Sequence, residues 1–146
     1  MPATGTADIR DATITGNVSS QNAAIYVRQG QVEIRNSNVS QNQTHGVMAN
    51  VGSSVEIQGT TITQNTGNGV FLLLMSAGRL QGGAISANTA DGVRVLTGSG
   101  VQFRSPATIV SGNNVGLQCV GPQTGYTGDV SGISGNTGGQ VNCTPF

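Results

Sequence analysis

The chain has 146 residues, enough for one ordinary domain, and its six arginines balance six acidic residues without any lysine. Because no basic stripe can form, the sequence argues against nucleic-acid binding. The longest apolar run, residues 70–75, is far too short to span a membrane. Only 8% of the residues are charged, glycine occurs 23 times and tryptophan is absent, so the composition favours strands and tight turns.

A 23-residue repeat runs through the chain. Large apolar residues recur at this spacing, namely Ile34, Ile57, Leu80 and Phe103, as do the glycines Gly46, Gly69 and Gly92. One asparagine per repeat recurs at steps of 25, 23, 23, 25 and 23: Asn17, Asn42, Asn65, Asn88, Asn113 and Asn136. A fixed period of this length predicts a stack of like structural units, that is, a solenoid.

Alternation with period two predicts three short strands per repeat, which we name A, B and C. Strand A is exemplified by Val32-Glu33-Ile34-Arg35, whose apolar residues point inward. Strand B centres on one inward residue: Ile14, Val39, Ile62, Ile85, Val110 and Ile133. Strand C supplies two inward residues per turn: Ile25 and Val27, Val47 and Ala49, Val70 and Leu72, Val93 and Val95, Leu117 and Cys119, Val141 and Cys143.

A single turn cannot fold alone. Four or five buried apolar side chains contribute about 8–12 kcal/mol, whereas ordering the 23 residues of a turn costs several times more. Backbone hydrogen bonds to the neighbouring turns must supply the difference. Residues outside the repeat predict protruding loops at 18–24, 105–108 and 120–129.

The recurrent asparagines and glycines are interpreted as structural. An asparagine tolerates the left-handed conformation of a sharp bend, and its amide can bond the backbone or the next asparagine in the stack. The glycine before strand C is expected to relieve a second bend.

The repeated Ile-Thr/Ser-x-Asn followed by Gly-Val resembles the right-handed parallel β-helix of the pectin-lyase-like superfamily, from Asp8 to Cys143. This resemblance implies an all-β, right-handed parallel β-helix of five to six turns with about 23 residues per turn. It does not imply a function, since members include polysaccharide lyases, hydrolases, epimerases, phage tailspikes and surface adhesins.

We expect one domain over residues 1–146, with the repeat region at about 8–143, as a fragment of a larger protein. Met1-Pro2-Ala3-Thr4 shows neither the charged start nor the apolar stretch of a secretory signal. An export signal would therefore lie elsewhere in the parent protein.

The catalytic motifs of lyase-like, polygalacturonase-like and epimerase-like members have no match here; even His45-Gly46 follows Thr44 and not a glycine. The nearest approach to an active site is an outward row of charges on strand A, which could hold calcium or sugar hydroxyls. A solvated, mutually compensated strand face is the preferred interpretation. The row comprises Asp8, Glu33, Glu56, Arg10, Arg35 and Arg79.

His45, Asn68 and Asp91 share one position of the repeat, immediately before the turn glycine. A catalytic stack is conceivable, but bends commonly carry such residues for backbone reasons, and we favour that interpretation. One histidine and two distant cysteines do not make a metal site. The sequence thus predicts no catalytic residue, no metal and no cofactor.

The outward residues of strand C are the least ordinary feature. Alternation should make them polar on a solvated face, yet a contiguous set is apolar: Tyr26, Met48, Phe71, Leu73, Leu96 and Val120. An apolar surface of this kind predicts an interface or a ligand-binding face. The alternative is a cover formed by residues 120–129 or by Pro145-Phe146.

Cys119 and Cys143 occupy the same strand position one turn apart. Neighbouring strands place such Cα atoms about 4.8 Å apart, which suits a disulfide. The alternative is a pair of reduced thiols in the core. A disulfide would favour an oxidising compartment.

Three functions remain open from the sequence. The first is a non-catalytic scaffold and interaction module of an exported or surface protein, either oligomeric or docked to a partner domain through strand C. The second is a fragment of a polysaccharide lyase or hydrolase, and the third is a tailspike-like or adhesin-like carbohydrate binder. The expected location is extracellular or at the cell surface, with a polysaccharide as a possible partner.

Overall fold

A computed structural model describes residues 5–146; the first four residues, on which the signal-peptide interpretation rests, lie outside the described part. Within it the chain forms 17 strands in three parallel sheets and no α-helix. Sheet A contains β1 (Gly5–Arg10), β4 (Gly30–Arg35), β7 (Ser54–Gln58), β10 (Ala77–Gln81), β13 (Gly100–Arg104) and β16 (Gly125–Gly128). Sheet B contains β2 (Thr13–Thr15), β5 (Asn38–Ser40), β8 (Thr61–Thr63), β11 (Ala84–Ser86) and β14 (Ile109–Ser111). Sheet C contains β3 (Val18–Arg28), β6 (Gln43–Asn50), β9 (Val70–Leu73), β12 (Val93–Leu96), β15 (Val115–Val120) and β17 (Gly139–Asn142).

The first five turns of the solenoid each contribute strands A, B and C in succession, and each strand pairs with its equivalents in the adjacent turns. In the last turn the strand B position is reduced to a single bridge between Ile133 and Val110. The register follows the repeat: Ile34 lies opposite Ile57, and Ile57 opposite Leu80. In sheet B, Ile62 lies opposite Ile85 in the same way. The all-β parallel solenoid of about six turns predicted from the sequence is confirmed.

The inward residues form one continuous column of side chains. Leu72, Leu80 and Ile62 in the middle turns are completely buried. In the first turn Ile14 is only half-buried, and in the last turn Val141 is 38% exposed. Because no further turn lies beyond them in the described chain, the two ends of the column are less well covered.

The asparagine row forms a hydrogen-bonded ladder. The backbone N–H and the side-chain Nδ2 of Asn42 both donate to Oδ1 of Asn65, at 3.1 and 2.9 Å. The Nδ2 of Asn65 also donates to the carbonyl of Val39 in strand B of the previous turn, at 3.1 Å. The first five asparagines all donate in this direction, each to the asparagine of the next turn. Asn136, the last of the row, donates instead to Oε1 of Gln140.

The explanation given above for the asparagines is wrong in one respect, since none of them has a positive φ. The left-handed residue is the one that precedes each asparagine, with φ between 52° and 72°: Gly16, Gln41, Gln64, Ala87, Gly112 and Gly135. The asparagine is required for its amide, while its predecessor makes the bend.

The glycines before strand C also have a different role from the expected one. None has a positive φ, so they relieve no backbone strain. A Cβ on Gly69 would lie 2.4 Å from Cγ2 of Ile85 and 2.7 Å from the carbonyl oxygen of Gly92. These positions exclude a side chain because the core of the next turn lies directly against them.

Two of the three predicted loops belong partly to the sheets. Residues 18–24 are part of β3, where the pairing with β6 shifts register between Val18 and Ala23. Residues 125–128, inside the predicted 120–129 loop, form β16 and pair with β13. Tyr126 in β16 takes the strand A position of the last turn. The sequence of this strand lacks the pattern of the earlier strands A, and sequence analysis therefore placed it in a loop. Residues 105–108 lie between β13 and β14.

The last turn is tied to the one before it by a disulfide between Cys119 and Cys143, whose Cα atoms lie 4.8 Å apart. The predicted pairing is therefore present. Beyond it the chain pairs with β16: the N–H of Tyr126 donates to the carbonyl of Thr144, and the N–H of Phe146 donates to the carbonyl of Tyr126. No helix in residues 5–146 has the length and apolar character needed to cross a membrane.

Candidate functional site

The candidate site is the outer surface of sheet C, which we call the sheet C face. Its apolar members come from five successive turns: Tyr26, Met48, Phe71, Leu73, Leu96 and Val120. Parallel register makes Met48 the neighbour of both Tyr26 and Phe71, and places Leu96 beside Val120. The six residues therefore lie on one continuous surface, as the repeat implies.

Burial on the face is uneven. Met48 is only 5% exposed although it points outward, because Tyr26 and Phe71 flank it. Tyr26 and Val120 remain 40% and 42% exposed, and Phe71, Leu73 and Leu96 are half-buried. The face thus presents apolar side chains to solvent around a methionine that is already packed.

His45 extends the aromatic part of the face. Its ring lies 5.0 Å from the ring of Phe71, centroid to centroid, with the planes tilted by 59°. Its Nδ1 accepts a hydrogen bond from the N–H of Asn68 at 2.8 Å, so the proton of the neutral ring sits on Nε2. Burial, and after it the positive charge of Arg94, hold the pKa of His45 below its ordinary value of 6.5.

The stack of His45, Asn68 and Asp91 continues this pattern. Oδ1 of Asn68 accepts from the N–H of Asp91 at 2.9 Å, and Oδ1 of Asp91 accepts from the N–H of Val115 at 3.2 Å. Each side chain thus accepts from the backbone of the next turn. These contacts are what a role in supporting the bend requires.

Polar groups border the apolar residues. The Nδ2 of Asn50 donates to the hydroxyl of Tyr26 at 3.1 Å, and Arg94 pairs with the buried Asp91 at 3.4 Å. The Oδ1 of Asn50 and the Nε of Arg94 are buried without a hydrogen-bond partner among residues 5–146. Unpaired buried polar atoms are costly, so these two atoms reduce the stability of the folded chain.

A cavity of about 270 Å³ opens beside His45. Its walls carry hydroxyl and amide groups without a formal charge, including those of Ser19, Asn22, Gln43 and Thr44. Part of the wall comes from the irregular stretch of β3, which the sequence placed in a loop.

Sequence reasoning missed two apolar residues at the edge of the face. Leu74 and Met75 follow Leu73 at the corner leading to sheet A, and they are 44% and 74% exposed. Both have left-handed backbone, with φ of 53° and 61°. The unbroken apolar run of residues 70–75 is the signal that could have revealed them, since strand alternation ends there.

The C-terminal residues do not provide the cover considered as an alternative. Phe146 lies against Gly100 and Gly125 of sheet A, where a Cβ on Gly100 would meet its ring at 2.9 Å. Pro145 bridges to Tyr126, also in sheet A. This segment therefore lies on a different side of the solenoid from the sheet C face.

The charged row on sheet A is internally compensated. Arg10 pairs with Asp8 at 2.6 Å and holds the pKa of that carboxyl below its ordinary value, while Arg35 pairs with Glu33. Glu56 lies 3.8 Å from both Arg79 and Arg104. Among residues 5–146 no group of three or more His, Cys, Asp or Glu side chains is arranged to hold a metal ion.

Comparison with known proteins identifies the family but no individual relative. No curated protein matches the chain, and no solved structure matches it either. The family model described as "Right handed beta helix region" matches residues 2–137, which is nearly the whole chain. With the parallel three-sheet solenoid, this match shows that the chain belongs to the right-handed β-helix family.

Proposed function

We propose that this chain is a rigid, non-catalytic contact module of an exported or surface protein, and that two copies associate laterally through the sheet C face. The observation that supports the proposal is the apolar continuity of that face. Met48 is packed between Tyr26 and Phe71, and Leu73 leads on to the exposed Leu74 and Met75. A solvated sheet face would instead alternate to polar residues.

A closed dimer suits this geometry better than an open fibre. The apolar side chains lie on the side of the solenoid, so the same patch on two copies can face itself across a twofold axis. The disulfide between Cys119 and Cys143 is compatible with an oxidising compartment.

Sedimentation or light scattering over a concentration series tests the proposal. The native chain is expected to be dimeric, and the Phe71→Ser, Leu73→Ser double variant is expected to be monomeric with an unchanged circular dichroism spectrum. The matched control changes two outward residues of sheet A, Gln81→Ser and Gln102→Ser, and should remain dimeric. A native chain that stays monomeric at high concentration would contradict self-association.

Contact with a polysaccharide is a second candidate, favoured by the uncharged polar cavity beside the rings of His45 and Phe71. Rings next to hydroxyl and amide groups match the mixed apolar and polar surface of a sugar. Binding to a glycan panel without turnover, weakened by Phe71→Ser, would support it. Turnover of pectate or alginate would instead support the enzyme-fragment alternative.

A further inference from the structure

One position of the repeat joins a polar side chain to a glycine that the core requires. In the third turn, built by β7 to β9, the pair is Asn68 and Gly69, and in the fourth turn it is Asp91 and Gly92. A Cβ on Gly69 would lie 2.4 Å from Cγ2 of Ile85, and Gly92 is equally restricted. The glycine is therefore required by packing, and the residue before it accepts a hydrogen bond from the next turn.

Asn68 and Gly69 form the only asparagine–glycine pair in the sequence. Glycine has no side chain to keep its backbone nitrogen away from the amide group before it. When the pair is free to move, that nitrogen attacks Cγ of Asn68, the bond from Cγ to Nδ2 breaks, and ammonia leaves with the proton that the Gly69 nitrogen loses. Water then opens the five-membered succinimide at one of its two carbonyls and gives aspartate or isoaspartate. Water is the only co-reactant.

The folded chain holds the reacting groups in hydrogen bonds to both neighbouring turns. The N–H of Gly69 donates to the carbonyl of Asp91 at 2.9 Å, and Oδ1 of Asn68 accepts from the N–H of Asp91 at 2.9 Å. On the other side, the N–H of Asn68 donates to Nδ1 of His45 at 2.8 Å, and its carbonyl accepts from the N–H of Gly46 at 3.0 Å. Ring closure requires the nitrogen to approach Cγ in a reactive geometry, which these contacts prevent.

Neither product fits the folded third turn. Isoaspartate adds a methylene to the main chain directly before β9, so the pairing of β9 with β6 and β12 loses its register. Aspartate keeps the chain length but places a carboxylate where Asn68 is 3% exposed. In the next turn Asp91 has Arg94 as its cation at 3.4 Å, whereas the residue in register with Arg94 in the third turn is Phe71. The new charge therefore lacks a partner.

We infer that Asn68–Gly69 is a deamidation site that the folded solenoid protects and that becomes reactive when the third turn opens. Each opening exposes the pair to a reaction whose products cannot rebuild the turn. The modification therefore makes unfolding irreversible and leaves a covalent record of it. The protecting contacts lie within one chain and require no partner.

The native chain, incubated at mildly alkaline pH either folded in buffer or unfolded in denaturant, tests the site. Peptide mapping by mass spectrometry measures the conversion of Asn68 to aspartate and isoaspartate. Conversion should be roughly a hundredfold or more slower in the folded chain, because it proceeds only through opening of the turn. In the unfolded chain Asn68 should react faster than Asn50, which precedes the β-branched Val51. Equal rates in the two states, or no preference for Asn68 in the unfolded chain, would overturn the inference.

Refolding tests whether the products can rebuild the turn. Native chain that is held unfolded and then returned to buffer should lose refolding yield in proportion to conversion at Asn68. Asn68→Ser, which cannot form the succinimide, is the control and should keep the yield of its own untreated sample. Undiminished refolding of converted native chain would contradict an irreversible modification.

A double-mutant cycle isolates the aspartate product. Asn68→Asp should lower the melting temperature of the native chain, and it should lower that of a Phe71→Arg chain less, because the arginine reproduces the Asp91–Arg94 pair one turn earlier. An Asn68→Asp chain as stable as the native one would show that aspartate at this position is tolerated and would contradict that half of the inference.

Discussion

The middle turns and the end turns of this solenoid are built from the same residue types at the same positions, yet they differ in burial. Ile62 in the third turn is completely buried, whereas Ile14 at the same position of the first turn is only half-buried. Val70 is fully buried, whereas Val141 at the same position of the last turn is 38% exposed. In a stacked structure the turns above and below cover each inward residue. The position of a residue in the stack therefore decides how much its burial contributes to the stability of the fold.

The end turns also differ from the middle turns in the covalent bonds, hydrogen bonds and bend residues that stabilise them. The last turn carries a disulfide and the Gln140 cap, neither of which a middle turn needs. Turns two to four place residues with side chains at the left-handed bend, namely Gln41, Gln64 and Ala87, whereas the first turn and the last two have glycine there. Turns two to four tolerate this backbone cost because contacts on both sides offset it.

The largest expected effect tests the difference in burial directly. Ile62→Asp places an unpaired charge among buried apolar side chains and should prevent folding, at a cost of several kcal/mol. Ile14→Asp should leave a folded chain with a modestly lower melting temperature, because its side chain can reach water. Soluble yield and thermal melts by circular dichroism compare the two. Equal losses would show that the first turn is as well covered as the third.

The next largest effect on stability is expected from loss of the disulfide that holds the last turn. Closing the loop between Cys119 and Cys143, separated by 24 positions, contributes about 3 kcal/mol in the chain-entropy model. Reduction should lower the melting temperature and expose the amides of β17 first. A Cys119→Ser, Cys143→Ser variant is the control, since reductant should not affect it. A native melting curve that is identical with and without reductant would contradict this role.

A smaller effect is expected at the left-handed bend of a middle turn. Ala87 has a φ of 52°, a conformation that disfavours a Cβ, so Ala87→Gly should stabilise the chain by about 0.5–1 kcal/mol. Ala84→Gly, three residues earlier in β11, is the control and should destabilise by about 0.5–1 kcal/mol. Urea unfolding measures both free energies. Loss of stability in Ala87→Gly would mean that its methyl group contributes more than the strained backbone costs.

The smallest expected effect is a pH dependence of stability that arises at His45 and is absent at the equivalent residue of the next turn. Protonation of His45 would remove the acceptor for the N–H of Asn68, and the lowered pKa of His45 means that the folded state resists this protonation. Its contribution to stability is therefore complete above pH 6.5 and is lost as the pH falls below that value. Asn68 occupies the same position one turn later and does not titrate. Unfolding free energies of the native chain and of His45→Asn across this range should differ in slope, and parallel curves would contradict the prediction.

A 23-residue period and strand alternation together specify which side chains of the sheet C face are adjacent, and the strand register gives the same neighbours. The role of this face as an interface or ligand-binding surface stays a prediction. The sequence did not predict that Met48 is buried, since the period specifies that Tyr26 and Phe71 flank it but not how closely their side chains pack. The contact between His45 and Phe71 joins a bend residue to a strand residue, and only the path of the turn brings them together. Leu74 and Met75 were missed because the corner, and not the strand pattern, directs their side chains outward.

Periodicity by itself determined the parallel three-sheet architecture, the register, the inward residues and the pairing of Cys119 with Cys143, because a stack places like residues beside one another. The tertiary structure decided everything that depends on the end of the repeat or on the shape of a bend. It assigned the left-handed conformation to the residue before each asparagine, and it made the turn glycines sites of close packing. It also placed Gln140 at the end of the ladder, where no asparagine spacing could indicate it. Repetition encodes contacts between equivalent residues, whereas a cap or a corner is made by residues that have no equivalents.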